Sequence, residues 1–247
     1  MIELKRVCAA YDKVEKLHAV TARFERGGIT VLLGPNGCGK STLLKAAAGL
    51  LPVTSGEVLV DGAPAAALGA KELAKRIAFL PQSRNVPNLS VQRLVLHGRF
   101  PYLGYPRRYT QADFTAVERA LRLVGIEPLA HCNMAALSGG ERQKAYLALA
   151  LAQDTDAVLM DEPTTYLDID CQMTVWQLAQ TLRDMGKAVV IVTHDLPQAL
   201  RTAQQVLVMQ QGQVAGCGTP SQVMEQGVLS RVFHVQIHRH DGHFYLE

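Results

Sequence analysis

The chain has 247 residues, 48% of them hydrophobic, and a formal net charge of only +3. This length suits one large α/β domain or a domain with an inserted subdomain, and the hydrophobic content excludes a disordered chain. The weak, scattered positive charge argues against nucleic acid as a partner, and five cysteines without a CxxC pair argue against a disulfide framework or a cysteine zinc site, leaving reduced thiols in a cytosolic protein.

The amino terminus carries Glu3, Lys5 and Arg6 with no long apolar run behind them, so no signal peptide is expected. No stretch approaches the ~20 apolar residues of a spanning helix. The longest apolar run, Ala145 to Ala152, reads as a buried helix. Work at a membrane would require another chain to hold this one there.

Ile29 to Leu33 is a short apolar run that predicts a buried strand, and Lys40 to Leu50 predicts a helix. Between them stand Gly34, Pro35, Asn36, Gly37, Cys38, Gly39, Lys40, Ser41 and Thr42, a GxxxxGK[ST] pattern in its required strand-to-helix setting. Glycines let the backbone approach an anion, and loop N–H groups with the helix start point at phosphate oxygens. Lys40 would add charge on the β- and γ-phosphates, Ser41 would ligate Mg²⁺ and Thr42 would contact phosphate. This loop specifies a nucleotide-binding protein without separating a GTPase from other ATPases.

From Gln82 to about Ala136 strand-like runs are scarce and turns recur at Pro87, Pro101, Gly104 and Pro106, which predicts a helical subdomain inserted into the α/β core. Leu137-Ser-Gly-Gly-Glu141 then opens a helix from Arg142 to Ala152, with Ser138 and Glu141 at capping-box spacing. Ala157 to Asp161 is an apolar strand followed by Glu162 and Pro163. Acids at the carboxyl end of such a strand face the site: Asp161 would hold the Mg²⁺ shell through water, and Glu162 would orient or deprotonate the attacking water. A helix from Ile169 to Met185, ended by Gly186, precedes a strand from Ala188 to Thr193. Short strands flank a turn at Gly212, and a helix follows near Ser221 to Glu225. The alternation implies a parallel sheet covered by helices.

Leu137-Ser-Gly-Gly-Glu141, ahead of the Asp-Glu strand, resembles the signature motif of ATP-binding cassette (ABC) ATPases. The family's other motifs follow in order. Tyr11 matches the aromatic that stacks on adenine, and Gln82 the glutamine that senses Mg²⁺ and the membrane subunit. Asp168 matches the D-loop aspartate, and His194 the switch histidine on the γ-phosphate. The resemblance covers the whole chain. It implies a P-loop cassette with a mostly parallel core sheet, an N-terminal antiparallel β part and an inserted helical subdomain. The implied division is core at 1–81 and 157–247, with the helical part at 82–156. It also implies a head-to-tail homodimer in which each ATP lies between one P-loop and the other chain's Ser138, Gly139 and Gly140, with Asp168 close by. Lys40, Gln82, Glu162 and His194 are the implied catalytic residues; Ser41, Gln82 and Asp161 are the implied Mg²⁺ residues.

Asp161-Glu-Pro-Thr-Thr-Tyr-Leu-Asp-Ile169, Ala152-Gln-Asp-Thr155 and Gly98-Arg-Phe-Pro-Tyr102 resemble the subfamily that imports ferric siderophores, haem and cobalamin. Its signature usually ends in Gln, where this chain has Glu141. That resemblance implies polytopic permease subunits as partners, an external substrate-binding protein acting indirectly, and a peripheral place on the cytoplasmic face of the cell membrane. The segment from Gln82 to Tyr109 would carry the docking face, with Val86, Leu89, Tyr102, Leu103 and Tyr105 as contacts. An alternative is a non-transport ABC ATPase such as the iron–sulfur cluster assembly ATPase, which also shows the Leu-Asp-Ile-Asp of 167–170. That group lacks the Thr-Thr-Tyr run and the Gly-Arg-Phe-Pro segment.

Overall fold

The computed structural model describes every residue except 13, 83, 84, 166, 236, 241, 242 and 247, and the backbone alone at 237–240 and 243–246. In chain order the strands and helices begin β1 (Ile2–Tyr11), β2 (Val14–Phe24), β3 (Gly28–Leu33), α1 (Lys40–Ala47), β4 (Ser55–Val60), β5 (Ala63–Pro64), α2 (Ala65–Ala74) and β6 (Ile77–Leu80). A helical stretch follows: α3 (Val91–Leu96), α4 (Gln111–Leu123) and α5 (Gly139–Ala152). The chain then returns to alternation with β7 (Ala157–Asp161), α6 (Ile169–Asp184), β8 (Ala188–Val192), α7 (Leu196–Thr202) and β9 (Gln205–Gln210). It closes with β10 (Gln213–Gly218), α8 (Pro220–Glu225), α9 (Val228–Phe233), β11 (Ile237–His240) and β12 (His243–Leu246).

The larger sheet has the order β10-β9-β3-β8-β7-β6, parallel except for β10 at one edge. A second sheet, β2-β1-β4-β5, is antiparallel. The period-two geometry of strands divides the apolar side chains of the parallel sheet between two cores. Ile29, Val31 and Leu33 of β3, Val158 and Met160 of β7, and Val189 and Ile191 of β8 face the core shared with α3 to α9. Leu32, Leu159, Val190 and Val192 face the other, shared with α1 and the antiparallel sheet. Continuous apolar runs in the sequence are therefore strands covered on both faces.

Helix ends follow local chemistry. The helix expected to reach Leu50 stops at Ala47. Gly49 takes φ 68°, and the Leu50 N–H donates to Lys45 O at 2.8 Å while the Gly49 N–H donates to Ala46 O at 3.0 Å. This is a Schellman ending. The helix expected from Arg142 begins earlier, at Gly139, because Ser138 is the cap: its Oγ accepts from the Glu141 N–H, and Glu141 Oε2 accepts from the Ser138 N–H at 2.8 Å. Ala145, Leu147, Ala148, Ala150 and Ala152 are buried, as expected for that apolar run. Among the described residues, no helix is long and apolar enough to cross a membrane.

The Gly98-Arg-Phe-Pro-Tyr102 segment forms a 3₁₀ turn, His97–Tyr102, that ties the helices together. A Cβ on Gly98 would fall 2.4 Å from Leu149 O of α5, so the turn can lie this close only with glycine. Arg99 Nε donates to Asp113 Oδ1 of α4 at 3.0 Å and its NH1 donates to Ala152 O of α5 at 2.8 Å. The Tyr102 ring lies 3.9 Å from the guanidinium carbon, and its hydroxyl donates to Gln153 O at 2.8 Å. Burial opposes ionisation of Asp113, but Thr110 and Arg99 outweigh it and hold the carboxyl below its ordinary range.

The Arg99–Asp113 side chains are 12% and 7% exposed, so removing one leaves a mostly buried charge alone. Arg99→Ala is expected to lower unfolding free energy by about 3 kcal/mol, read as a drop in urea midpoint. With its folded pKa depressed, Asp113 contributes stability above its unfolded pKa and loses it as pH falls through the folded value. The variant's acid limb should therefore be flatter; an unchanged midpoint and limb would remove Arg99 from this role.

Candidate functional site

The parallel register brings the carboxyl ends of β3, β7 and β8 to one edge, with Leu32 opposite Val192 and Asp161 opposite Val192 on the other side. The phosphate loop leaves β3 there and enters α1. Gly34 has φ 152°, and a Cβ on it would stand 2.3 Å from Met209 O and 2.6 Å from Cys38 Sγ. Gly39 is the residue before α1 and offers no side-chain cap, so the first-turn N–H groups remain directed into the loop. Lys40 is buried, with Nζ donating to Gly34 O at 2.8 Å and Pro35 O at 2.9 Å. The Cys38 side chain is buried beneath the loop, and burial pushes its thiol pKa up. Its N–H donates to Pro35 O at 3.3 Å, closing the loop's turn.

Ser41 Oγ donates to Asp161 Oδ1 at 2.9 Å. Asp161 is 3% exposed. Burial pushes its carboxyl pKa up, the Ser41 hydrogen bond opposes the rise and the neighbouring Glu162 charge adds to it. Glu162 itself has φ 49°, a left-handed conformation uncommon outside glycine. Its N–H donates to Val192 O at 3.1 Å. That turn aims its carboxylate along the cleft, where three groups hold it: Gln82 Nε2 donates at 2.6 Å, Thr165 Oγ1 donates at 3.1 Å, and His194 Nε2 lies at 2.9 Å.

The cleft is open, about 620 Å³ in volume. Its walls are the loop residues Asn36, Gly37 and Gly39 to Thr42, with Gln82, Glu162, Thr165 and His194 at one end and Tyr11 and Lys16 at the other. Lys45 Nζ stands 5.8 Å from the Tyr11 ring centroid, within cation–π range, on the face of α1 beside it. Sequence reasoning missed Lys16 and Thr165. Lys16 lies in β2, outside any motif, and no pattern marks it. Thr165 had a local signal, since it stands three residues after Glu162.

Ser138, Gly139, Gly140 and Asp168 do not line this cleft. They form a second cluster where the starts of α5 and α6 meet. Asp168 Oδ1 caps α6 by accepting from the Cys171 N–H at 2.7 Å, and that hydrogen bond lowers its pKa. A Cβ on Gly140 would fall 2.4 Å from Cys171 Sγ and 3.9 Å from Asp168 Oδ2, so the helix starts abut. Tyr166 of the Thr-Thr-Tyr run lies outside the described residues. Of the expected docking residues, Tyr105 is 99% exposed and Val86 is exposed, Tyr102 is tied to α5, Leu89 packs on the core and Leu103 is buried at 8%. Leu103 is thus a core residue of this chain, and Phe100 is exposed beside it.

The family described as ABC transporter matches residues 17–165. The chain is 41% identical, over 94% of its length and 85% of the relative, to a probable siderophore transport system ATP-binding protein, YusV, of Bacillus subtilis. It is 37% identical, over 95% of its length and 87% of the relative, to the petrobactin import ATP-binding protein FpuD of Bacillus anthracis. It is 36% identical, over 93% and 85%, to the ferric enterobactin transport ATP-binding protein FepC of Escherichia coli. Among solved structures, a dimeric bacterial ABC transporter cassette superposes with a TM-score of 0.78 at 30% identity, covering 89% of this chain and 99% of that one. The cleft at the sheet edge and these likenesses lead to the same place: the chain belongs to the ABC transporter family, as one of its ATP-hydrolysing, ATP-binding subunits.

Proposed function

We propose that this chain powers import of an iron complex, of ferric siderophore, haem or cobalamin type, by binding and hydrolysing ATP as a head-to-tail homodimer. The observation that carries the chemistry is the Glu162 carboxylate, held by Gln82, Thr165 and His194 across the cleft from Lys40. Relatives named for siderophore, hemin and iron–hydroxamate import support the cargo class.

Phosphoryl transfer asks the protein chiefly for position and charge. Lys40 and the loop N–H groups bind and orient the β- and γ-phosphates, and Tyr11 covers the adenine. Glu162 positions the attacking water and takes its proton, and His194 meets the charge that grows on the γ-phosphate. Ser41, Asp161 and the Gln82 amide oxygen would hold Mg²⁺. They are oxygen donors, already gathered by the 2.9 Å contact between Ser41 and Asp161. Among the described residues no group of three His, Cys, Asp or Glu gathers as a metal cage, which suits an ion that keeps waters and shares few carboxylates. Bound there, Mg²⁺ supplies positive charge to the β- and γ-phosphate oxygens.

The cluster of Ser138, Gly139, Gly140 and Asp168 is the other half-site. An exposed helix start with free N–H groups completes an anion site for the γ-phosphate held by a second copy. ATP then bridges two chains, and hydrolysis removes the bridge, a ligand-biased two-state switch. Polytopic permease subunits hold the dimer on the cytoplasmic face of the membrane, and a substrate-binding protein delivers cargo to them. Exposed Val86, Phe100 and Tyr105 supply the docking surface for a permease segment.

Glu162→Gln should retain ATP binding and lose at least about a hundredfold in turnover, the scale of a general base; hydrolysis near the wild-type rate would remove Glu162 from this role. Tyr11→Ala should weaken nucleotide affinity by about tenfold, within the range of base stacking, measured by titration with ATP. Replacing Val86, Phe100 and Tyr105 together by Ser should leave ATP binding intact and abolish transport. Unimpaired uptake would place docking elsewhere. Affinity purification from mildly solubilised membranes tests the assembly: a co-eluting polytopic permease supports import, and a purely soluble partner overturns it.

A further inference from the structure

Four of the chain's eight histidines, His234, His238, His240 and His243, crowd into its last residues. The last three stand on the two strands of one hairpin. β11 and β12 pair antiparallel, with His238 opposite Tyr245 and His240 opposite His243. Residues two apart on a strand share a face, and so do residues directly paired across strands. His238, His240 and His243 therefore occupy one face, with Tyr245, while Ile237, Arg239, Phe244 and Leu246 occupy the other. The alternation places an imidazole-bearing face back to back with a largely apolar one.

The spacing is that of a metal site. Directly paired positions have Cβ atoms about 5 Å apart, and positions two residues along a strand are about 7 Å apart. An imidazole binds a transition metal through one nitrogen at about 2 Å, so three of them at these separations can share one ion. Three neutral imidazoles select ions of intermediate softness, such as Zn²⁺, Ni²⁺ and Cu²⁺, and not Mg²⁺ or Ca²⁺, which take oxygen. We propose that the hairpin face bearing His238, His240 and His243 binds one divalent first-row transition-metal ion. This site is separate from the oxygen donors Ser41 and Asp161 of the nucleotide cleft, and it stands whether or not the cargo assignment does. β12 lies beside α7, the helix that begins two residues after His194.

The test uses the full chain, purified without a histidine tag and stripped of metal, titrated with Zn²⁺ against a chromophoric chelator. One Zn²⁺ per chain is expected. His238→Gln, His240→Gln and His243→Gln should each weaken it by at least about tenfold, the scale set even by groups outside the ligand shell. The triple variant should lose it. Loading with Co²⁺ provides a reading independent of the variants: a visible band without thiolate charge transfer is expected of imidazole ligation, and thiolate charge transfer would assign the ion to cysteines and overturn the proposal. Failure of the wild-type chain to bind Zn²⁺, or equal binding by the triple variant, would also overturn it. ATP hydrolysis by the triple variant reports separately on whether the cassette remains folded.

Discussion

The alignment of β3, β7 and β8 is the constraint on which the site depends. Leu32, Val192 and Asp161 stand in successive register across the three strands. A parallel ladder fixes where each strand stops relative to its neighbours, and all three stop at the same edge. The phosphate loop, Asp161 with Glu162, and Thr193 with His194 are the residues immediately beyond that edge. Because each strand has apolar side chains on both faces, a slip of one residue would exchange the two cores, with Leu32 and Val190 taking the places of Val31 and Ile191. The packing that stabilises the sheet thus holds the site in alignment.

Within that frame Glu162 is over-determined. Its backbone is left-handed and tied to Val192 O, and its carboxylate meets Gln82, Thr165 and His194. A residue in a sparsely populated conformation persists only when its surroundings insist on it. Here they insist from separate segments: Gln82 follows β6, Thr165 follows β7 and His194 follows β8. Movement of any of these segments changes the hydrogen bonding of the group proposed to handle water.

Much of this was legible in the sequence because its constraints are local. The phosphate loop needs glycine at Gly34 for reasons that act within a few residues, and Ser138 with Glu141 forms the reciprocal cap that its spacing announces. The strands 29–33 and 157–161 were readable as apolar runs of strand length. Leu103 and Lys16 were not. An exposed aromatic stretch and a buried leucine within it look alike until the chain folds, and Lys16 reaches the cleft only because the antiparallel sheet crosses beside the loop. Helix ends fell between these cases: Gly49 was visible, but only the observed Leu50–Lys45 bond shows that it ends α1.

The contacts of α5 connect the two halves of the site within one chain. The helix starts at Ser138, the proposed contact to the other copy's nucleotide. One turn further on, Gln143 Nε2 donates to Pro163 O at 2.6 Å, directly after Glu162, and Tyr146 OH donates to Asn85 O at 2.5 Å, in the segment that follows Gln82. Its far end is gripped by Arg99 and by Tyr102, through Ala152 O and Gln153 O. The helix therefore touches the chain beyond the water-positioning carboxylate, the chain beyond the glutamine, and the 3₁₀ turn beside the exposed aromatic surface. A displacement of the docking surface cannot leave α5 unmoved without breaking the buried Arg99 contacts, and α5 cannot move without disturbing hydrogen bonds next to Glu162 and Gln82. Ligation of ATP between two copies fixes the start of the same helix. Mechanical work at the membrane and closure around nucleotide would thus act on one rigid element from opposite ends.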